Sequence, residues 1–144
     1  MPQRLVREII THQRLVTAPE DMSVADAARL MKQNRIGALL VVRDQRLAGI
    51  FSERDALFLV IAEGRDPVQT RLAEVMTRDP QSIGPDRPFG HALHMMYEGR
   101  FRHVPVLENG MPIGIISARD ALGPELEQFV SELDARDRIG EILG

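Results

Sequence analysis

The chain has 144 residues, of which 44% are hydrophobic and 27% charged, and a formal net charge of −3. That length buries a core in one compact domain or two small packed ones without covalent staples. The absence of cysteine excludes disulfides, thiolate nucleophiles and cysteine metal sites. The acidic balance argues against a broad nucleic-acid surface, which needs clustered positive charge.

The N-terminal stretch "MPQRLVREII" lacks the apolar centre of a secretion signal, and no apolar run approaches the ~20 residues that span a bilayer. A cytoplasmic location is expected. A short strand is expected near Leu15–Ala18. Ser23 follows as a helix N-cap with Asp26 as its capping-box partner. Val24, Ala27, Ala28 and Met31 then recur at helical spacing and make one apolar face. "ALLVV" (38–42) is a short apolar run that suits a buried strand, Asp44-Gln45 is a turn, and "LAGIF" (47–51) is the returning strand. A helix is expected to begin after Ser52, through "ERDALFLVIAEG".

The same order then recurs. Residues 21–57 lie on 86–122 without a gap at an offset of 65, and upstream of Pro19 and Pro85 the offset becomes 66. The second half therefore predicts a short strand near Gln81–Gly84, and a helix with Pro88 at its first position and Phe89, Ala92, Leu93 and Met96 as its apolar face. Strands "HVPVL" and "PIGII" come next, joined by Asn109-Gly110, a strong hairpin signal. A shorter helix is cut by Gly123-Pro124. Each unit alone would leave one sheet face uncovered, and two units about a pseudo-twofold axis would bury both. The tail, residues 124–144, places Leu126, Phe129, Val130 and Leu133 on one helical stripe, expected to cover core or a dimer face.

The repeated stretches that invite chemistry are "GIFSERD" (49–55) and "GIISARD" (114–120). Serine at an N-cap with aspartate three residues on is a good helix start, worth about 1 kcal/mol. The same geometry also offers a phosphate site: free N–H groups, a serine hydroxyl, and Arg54 or Arg119 for charge-assisted bonds. Asp55 and Asp120 could accept both hydrogens of a ribose diol, and glycine would let a flat base approach the backbone. Composition and spacing leave both readings open. His91, His94 and Glu98 fall on the polar side of their helix and read as a solvated face rather than a metal site. The methionines Met31, Met95 and Met96 read as core filler. His103 with an aspartate would suggest acid–base catalysis, but no nucleophile or third group has motif support.

From residue 8 to 122 the chain resembles the tandem cystathionine-β-synthase (CBS) domain pair, whose domains each carry Gly-apolar-apolar-Ser/Thr-x-x-Asp after a hairpin. The resemblance implies an α+β fold of two β-α-β-β-α units packed through their sheets. Residues 1–67 would form the first unit with its lead-in, 68–123 the second, and 124–144 the helical tail. It further implies a non-enzymatic regulatory module that binds an adenosine compound in the cleft between units: AMP, ADP, ATP or NAD(H), and in some members S-adenosylmethionine or a cyclic dinucleotide. By the same resemblance Asp55 and Asp120 would hold riboses, and Ser52 and Ser117 would touch phosphate. Gly37-Ala38 and Arg102-His103, which occupy matching places, would each face the other unit's phosphates. The two sites should thus be unequal, with Arg102 assisting the Asp55 site and His103 carrying a charge that varies near neutral pH. A homodimer of pairs and a protein target in trans are expected, no attached effector domain being visible. The competing expectation is a structural dimerisation module whose motifs only cap helices. A minor enzymatic activity on nucleotides is a third.

Overall fold

The computed structural model describes residues 4–123 and, beyond them, Ser131, Leu133, Ala135 and Arg136, which are helical. The rest of the expected tail helix lies outside the described residues. In the first unit β1 (Thr17–Pro19) leads to α2 (Val24–Asn34), then to the hairpin β2 (Ala38–Arg43) and β3 (Arg46–Ser52). After it come α3 (Glu53–Asp55), which continues as a π-helix over Ala56–Ile61, then α4 (Leu72–Val75) and β4 (Thr77–Arg78). In the second unit α5 (Phe89–Gly99) leads to the hairpin β5 (His103–Glu108) and β6 (Met111–Ser117), closed by a 3₁₀ turn over Ala118–Leu122. A lead-in helix α1 (Val6–Ile10) precedes everything.

The duplication is visible in backbone detail. Both hairpins turn through two residues at positive φ, Asp44-Gln45 and Asn109-Gly110, as a right-twisted two-residue hairpin requires. Each carries a register shift at its centre, at Val41/Val42 and at Val106/Leu107. Helices α2 and α5 both end on an arginine in the left-handed region, Arg35 at φ 53° and Arg100 at φ 58°. There the next N–H reaches back to a carbonyl of the last turn, Ile36 to Met31 and Phe101 to Met96.

The core is in three parts. Val24, Ala27 and Met31 of α2 pack on Leu39, Val41 and Phe51, with Leu72 and Val75 of α4. Phe89, Ala92 and Met96 of α5 pack on Val104, Val106 and Ile116, with Val6 and Ile10 of α1. The lead-in helices are thus exchanged: each fills the core beneath the other half's hairpin. Matching bridges fix the exchange, Leu5 to Pro88 and Ser23 to Arg71. Glu8 and Glu74 accept from the N–H groups of Leu5 and Arg71 at 2.6 and 2.7 Å. Between the sheets, Ala38, Leu40 and Ile50 meet Ile115 of the other unit. The two sheet faces are buried against each other as the repeat predicts.

Several expectations are corrected. Gln81–Gly84 is not a strand; Ile83 alone bridges Val106, so β5 and β6 form a two-stranded sheet, whereas the first sheet runs β1-β2-β3-β4. Pro88 is the N-cap of α5 rather than its first helical residue. Ser23 Oγ accepts from Asp26 N–H at 3.1 Å, but Asp26 does not complete a box, its carboxylate being taken by Arg29 at 2.8 Å. The helix after Ser52 widens into π turns that bury Val60, set Ala56 half-buried against the core and leave Leu57, Phe58, Leu59 and Ile61 exposed.

Candidate functional site: two cavities between the units

Each motif serine stands at the end of a hairpin strand, where the sheet stops and the chain turns over the seam between the units. Ser52 and Ser117 are both half-buried there. The capping geometry is formed in both copies. Asp55 Oδ2 accepts from Ser52 N at 2.9 Å and from Ser52 Oγ at 3.1 Å. Asp120 Oδ2 accepts from Ser117 N at 2.7 Å and from Ser117 Oγ at 3.3 Å. All of these bonds fall on one carboxylate oxygen, and Oδ1 takes none among the described residues. Helix start and ligand grip are therefore compatible in the same side chain.

Two cavities flank the seam. The first, about 610 Å³, is lined by Ser52, Arg54 and Asp55 of the first unit and by Arg100, Arg102 and His103 of the second. The second, about 430 Å³, joins Ser117, Arg119 and Asp120 to Gly37 and Ala38 of the first unit. Both volumes lie in the range of small-ligand sites, roughly 300–1,000 Å³. Each cavity thus combines one half's motif with the other half's pre-strand pair. The expected companionship of Arg102 with Asp55 is found in the first.

The pair Arg102-His103 lines both cavities, whereas Gly37-Ala38 lines only the second. Burial pushes the His103 imidazole below its ordinary value of 6.5; Arg102 and Arg119 act in the same direction, against Glu53 and Asp120. His103 is accordingly neutral at neutral pH, and the expected charge change there moves to a more acid range. Glu53 stands against Gly37, its Oε1 3.2 Å from where a Cβ would be. Arg54 reaches the Arg100 carbonyl at 3.5 Å and lies 5.9 Å from the Phe58 ring.

Other lining residues were not singled out from the sequence: Ile50, Thr77, Asp79 and Phe101 in the first cavity, Gln13, Arg35 and Glu53 in the second. A signal for some existed. Arg35 and Arg100 coincide in the repeat, and the 66-residue offset lays Gln13 on Asp79. The motif glycines prove to be packing positions. A Cβ on Gly49 would stand 2.7 Å from Met76 Sδ and from the Thr77 carbonyl, and one on Gly114 2.8 Å from Ile10 Cγ2. His91 and His94 are exposed on α5, with His94 Nδ1 3.5 Å from Glu98 Oε1. No helix among the described residues is long and apolar enough to cross a membrane.

Comparison with known proteins agrees with this architecture. The CBS domain model matches residues 6–62 and 72–124. The Arabidopsis thaliana proteins CBSCBSPB3 and CBSX3, the latter mitochondrial, are 39% and 34% identical over 110 and 118 residues, 76% and 78% of this chain. The chain spans only 20% and 57% of their respective lengths. Among solved structures, a CBS-domain protein from Burkholderia ambifaria superposes with a TM-score of 0.80 at 33% identity, covering 86% of this chain and 95% of its own. A hexameric CBS-CP12 protein from bloom-forming cyanobacteria has a TM-score of 0.78 at 28% identity, over 95% and 83% of the two chains. The Pyrobaculum aerophilum protein PAE2072, solved as a complex with AMP, shares the fold with a TM-score of 0.76 at 24% identity, over 83% and 92%. With two matched repeats over most of its length and the pseudo-twofold packing described above, this chain belongs to the CBS domain family as a tandem pair.

Proposed function

We propose that the chain is a non-enzymatic regulatory module that binds an adenosine nucleotide at the seam between its units and reports energy or redox state to a protein partner in the cytoplasm. The observation that carries this reading is the composite first cavity, with Ser52 and Asp55 on one wall and Arg100 and Arg102 on the other. A carboxylate with one unengaged oxygen suits a ribose diol. Two arginines and a serine hydroxyl suit phosphate, for which guanidinium groups are well matched. AMP is the first ligand to test, because a protein of this fold is solved with it; ADP, ATP and NAD(H) meet the same ribose and phosphate requirements. The exposed run Leu57, Phe58 and Ile61 supports association of pairs into a homodimer.

Thermal unfolding with AMP, ADP, ATP, NAD and NADH tests the reading. A ligand at ~100 times its dissociation constant adds about 2.7 kcal/mol, a shift of several degrees. A shift that disappears in the Asp55→Ala, Asp120→Ala double variant supports it. No shift with any nucleotide leaves the second reading, a structural dimerisation module, which the capping bonds of Ser52 and Ser117 favour.

A further inference from the structure

The halves differ along the outer edge of the motif strand. In the first unit that edge is covered by backbone: β4 pairs with β3, Arg78 opposite Gly49 and Thr77 opposite Ile50. In the second unit, residues 11–13, which the 66-residue offset aligns with 77–79, form no strand. One side chain takes their place. Gln13 Nε2 donates to the Ile115 carbonyl at 2.8 Å, and Gln13 Oε1 accepts from Ile115 N–H at 2.8 Å. The backbone beneath it is anchored, since Gln13 N–H bonds the carbonyl of Ile10, itself buried in the second core. The carboxamide lines the second cavity, as Ile115 does. Its counterpart Asp79 lines the larger first cavity and makes no side-chain hydrogen bond among the described residues.

A primary carboxamide presents a donor and an acceptor side by side. Adenine presents the same pair, its 6-amino group next to a ring nitrogen. We propose that Gln13 is an internal stand-in for the nucleobase, a latch that holds the Ile115 backbone edge in the second cavity and must swing aside for a base to take that edge. A backbone strand cannot do this, because β4 is tied at both ends; a glutamine needs only side-chain rotation. The first cavity, whose Ile50 edge is permanently paired, has no latch and is the stronger site. The second fills only against the loss of two hydrogen bonds, which weakens it on the order of tenfold or more. This inference rests on the nucleotide-binding reading and assigns it a residue that makes the sites unequal.

The test is a calorimetric titration of the full chain and of its Gln13→Ala variant with AMP, with the side-chain amide resonances of Gln13 followed in the unsubstituted protein. The expected result is one strong and one weaker site, the weaker one tightening at least fivefold in the variant while the stronger one, which Gln13 does not line, stays put. The Gln13 amide signals should move only as the second site fills. Two sites with affinities unchanged by the substitution, or Gln13 signals that stay still through the second phase, would overturn the latch and leave nucleotide binding standing. Absence of AMP binding in both proteins would overturn the nucleotide reading and the latch together.

Discussion

Asp55 holds Ser52 with a single carboxylate oxygen: Oδ2 accepts both the Ser52 N–H at 2.9 Å and its hydroxyl at 3.1 Å. The two functions considered for the repeated motif can therefore be separated by substitution. Asp55→Ala removes cap and ligand grip together and should cost about 1 kcal/mol of stability as well as AMP binding in the first cavity. Asp55→Asn keeps the size and one acceptor oxygen but loses the charge. It should retain most of the stability while weakening AMP by tenfold or more. Parallel thermal unfolding and calorimetry of the two variants would decide; equal AMP affinity in all three proteins would leave only the cap.

The two motif glycines meet different neighbours, and this predicts unequal tolerance. A methyl group on Gly49 would press on the Thr77 carbonyl oxygen at 2.7 Å, which the β3–β4 pairing holds in place. On Gly114 it would press on Ile10 Cγ2 and Cβ at 2.8 and 2.9 Å and on Gln13 Oε1 at 3.0 Å, side-chain atoms with no backbone atom among them. Gly49→Ala should therefore cost about 1–3 kcal/mol and Gly114→Ala measurably less, as read by urea unfolding. The reverse order would mean that the second unit is the more rigid at this edge.

These glycines also show where sequence reading stops. Their repetition announces a constraint, which on sequence alone reads as room for a flat base. Only the fold shows what presses on them: the β4 backbone and Met76 on Gly49, the Ile10 and Gln13 side chains on Gly114. The hairpins, by contrast, were legible residue by residue, because Asn109-Gly110 and the apolar runs beside it carry local turn and strand chemistry. The pairing of Arg102 with the Asp55 cavity was legible only through family resemblance, since nothing in the spacing of residues 47 positions apart requires contact. The exchange of α1 and α4 between cores was hidden for the same reason: Val6 and Leu72 look like ordinary apolar residues until the fold places them. Gln13 is silent in the repeat because it matches nothing there: its role lies in its difference from Asp79.

The π-helical run leaves Leu57, Phe58 and Ile61 exposed, at 51%, 52% and 68% of their surface, while Val60 is turned into the core. The five positions 57–61, with Leu59 also exposed, thus split into one packing residue and an apolar outer face. If this face joins two pairs, Phe58→Glu should yield a monomer in analytical ultracentrifugation and remove the concentration dependence of the unfolding midpoint. Val60→Ala should instead cost about 1–3 kcal/mol at any concentration, through the cavity it leaves. An unaltered sedimentation coefficient for the Phe58 variant would place the contact elsewhere, as would a hexamer that survives the change.

His103 makes the seam sensitive to pH in a defined direction. Its imidazole is held below 6.5, chiefly by burial, with Arg102 and Arg119 reinforcing the effect and Glu53 and Asp120 opposing it. The unfolded chain therefore binds this proton more readily than the folded one. Its contribution to stability is complete above the ordinary histidine range and is lost as pH falls from about 6.5 through the lowered folded value. An anion in either cavity would raise that value again, so binding of AMP should take up protons and tighten as pH falls from 7 towards 6. Calorimetry in two buffers of different ionisation enthalpy measures the uptake, and His103→Gln should abolish it and flatten the acid limb of the stability profile. Proton uptake that persists in the variant would assign it to a group other than His103.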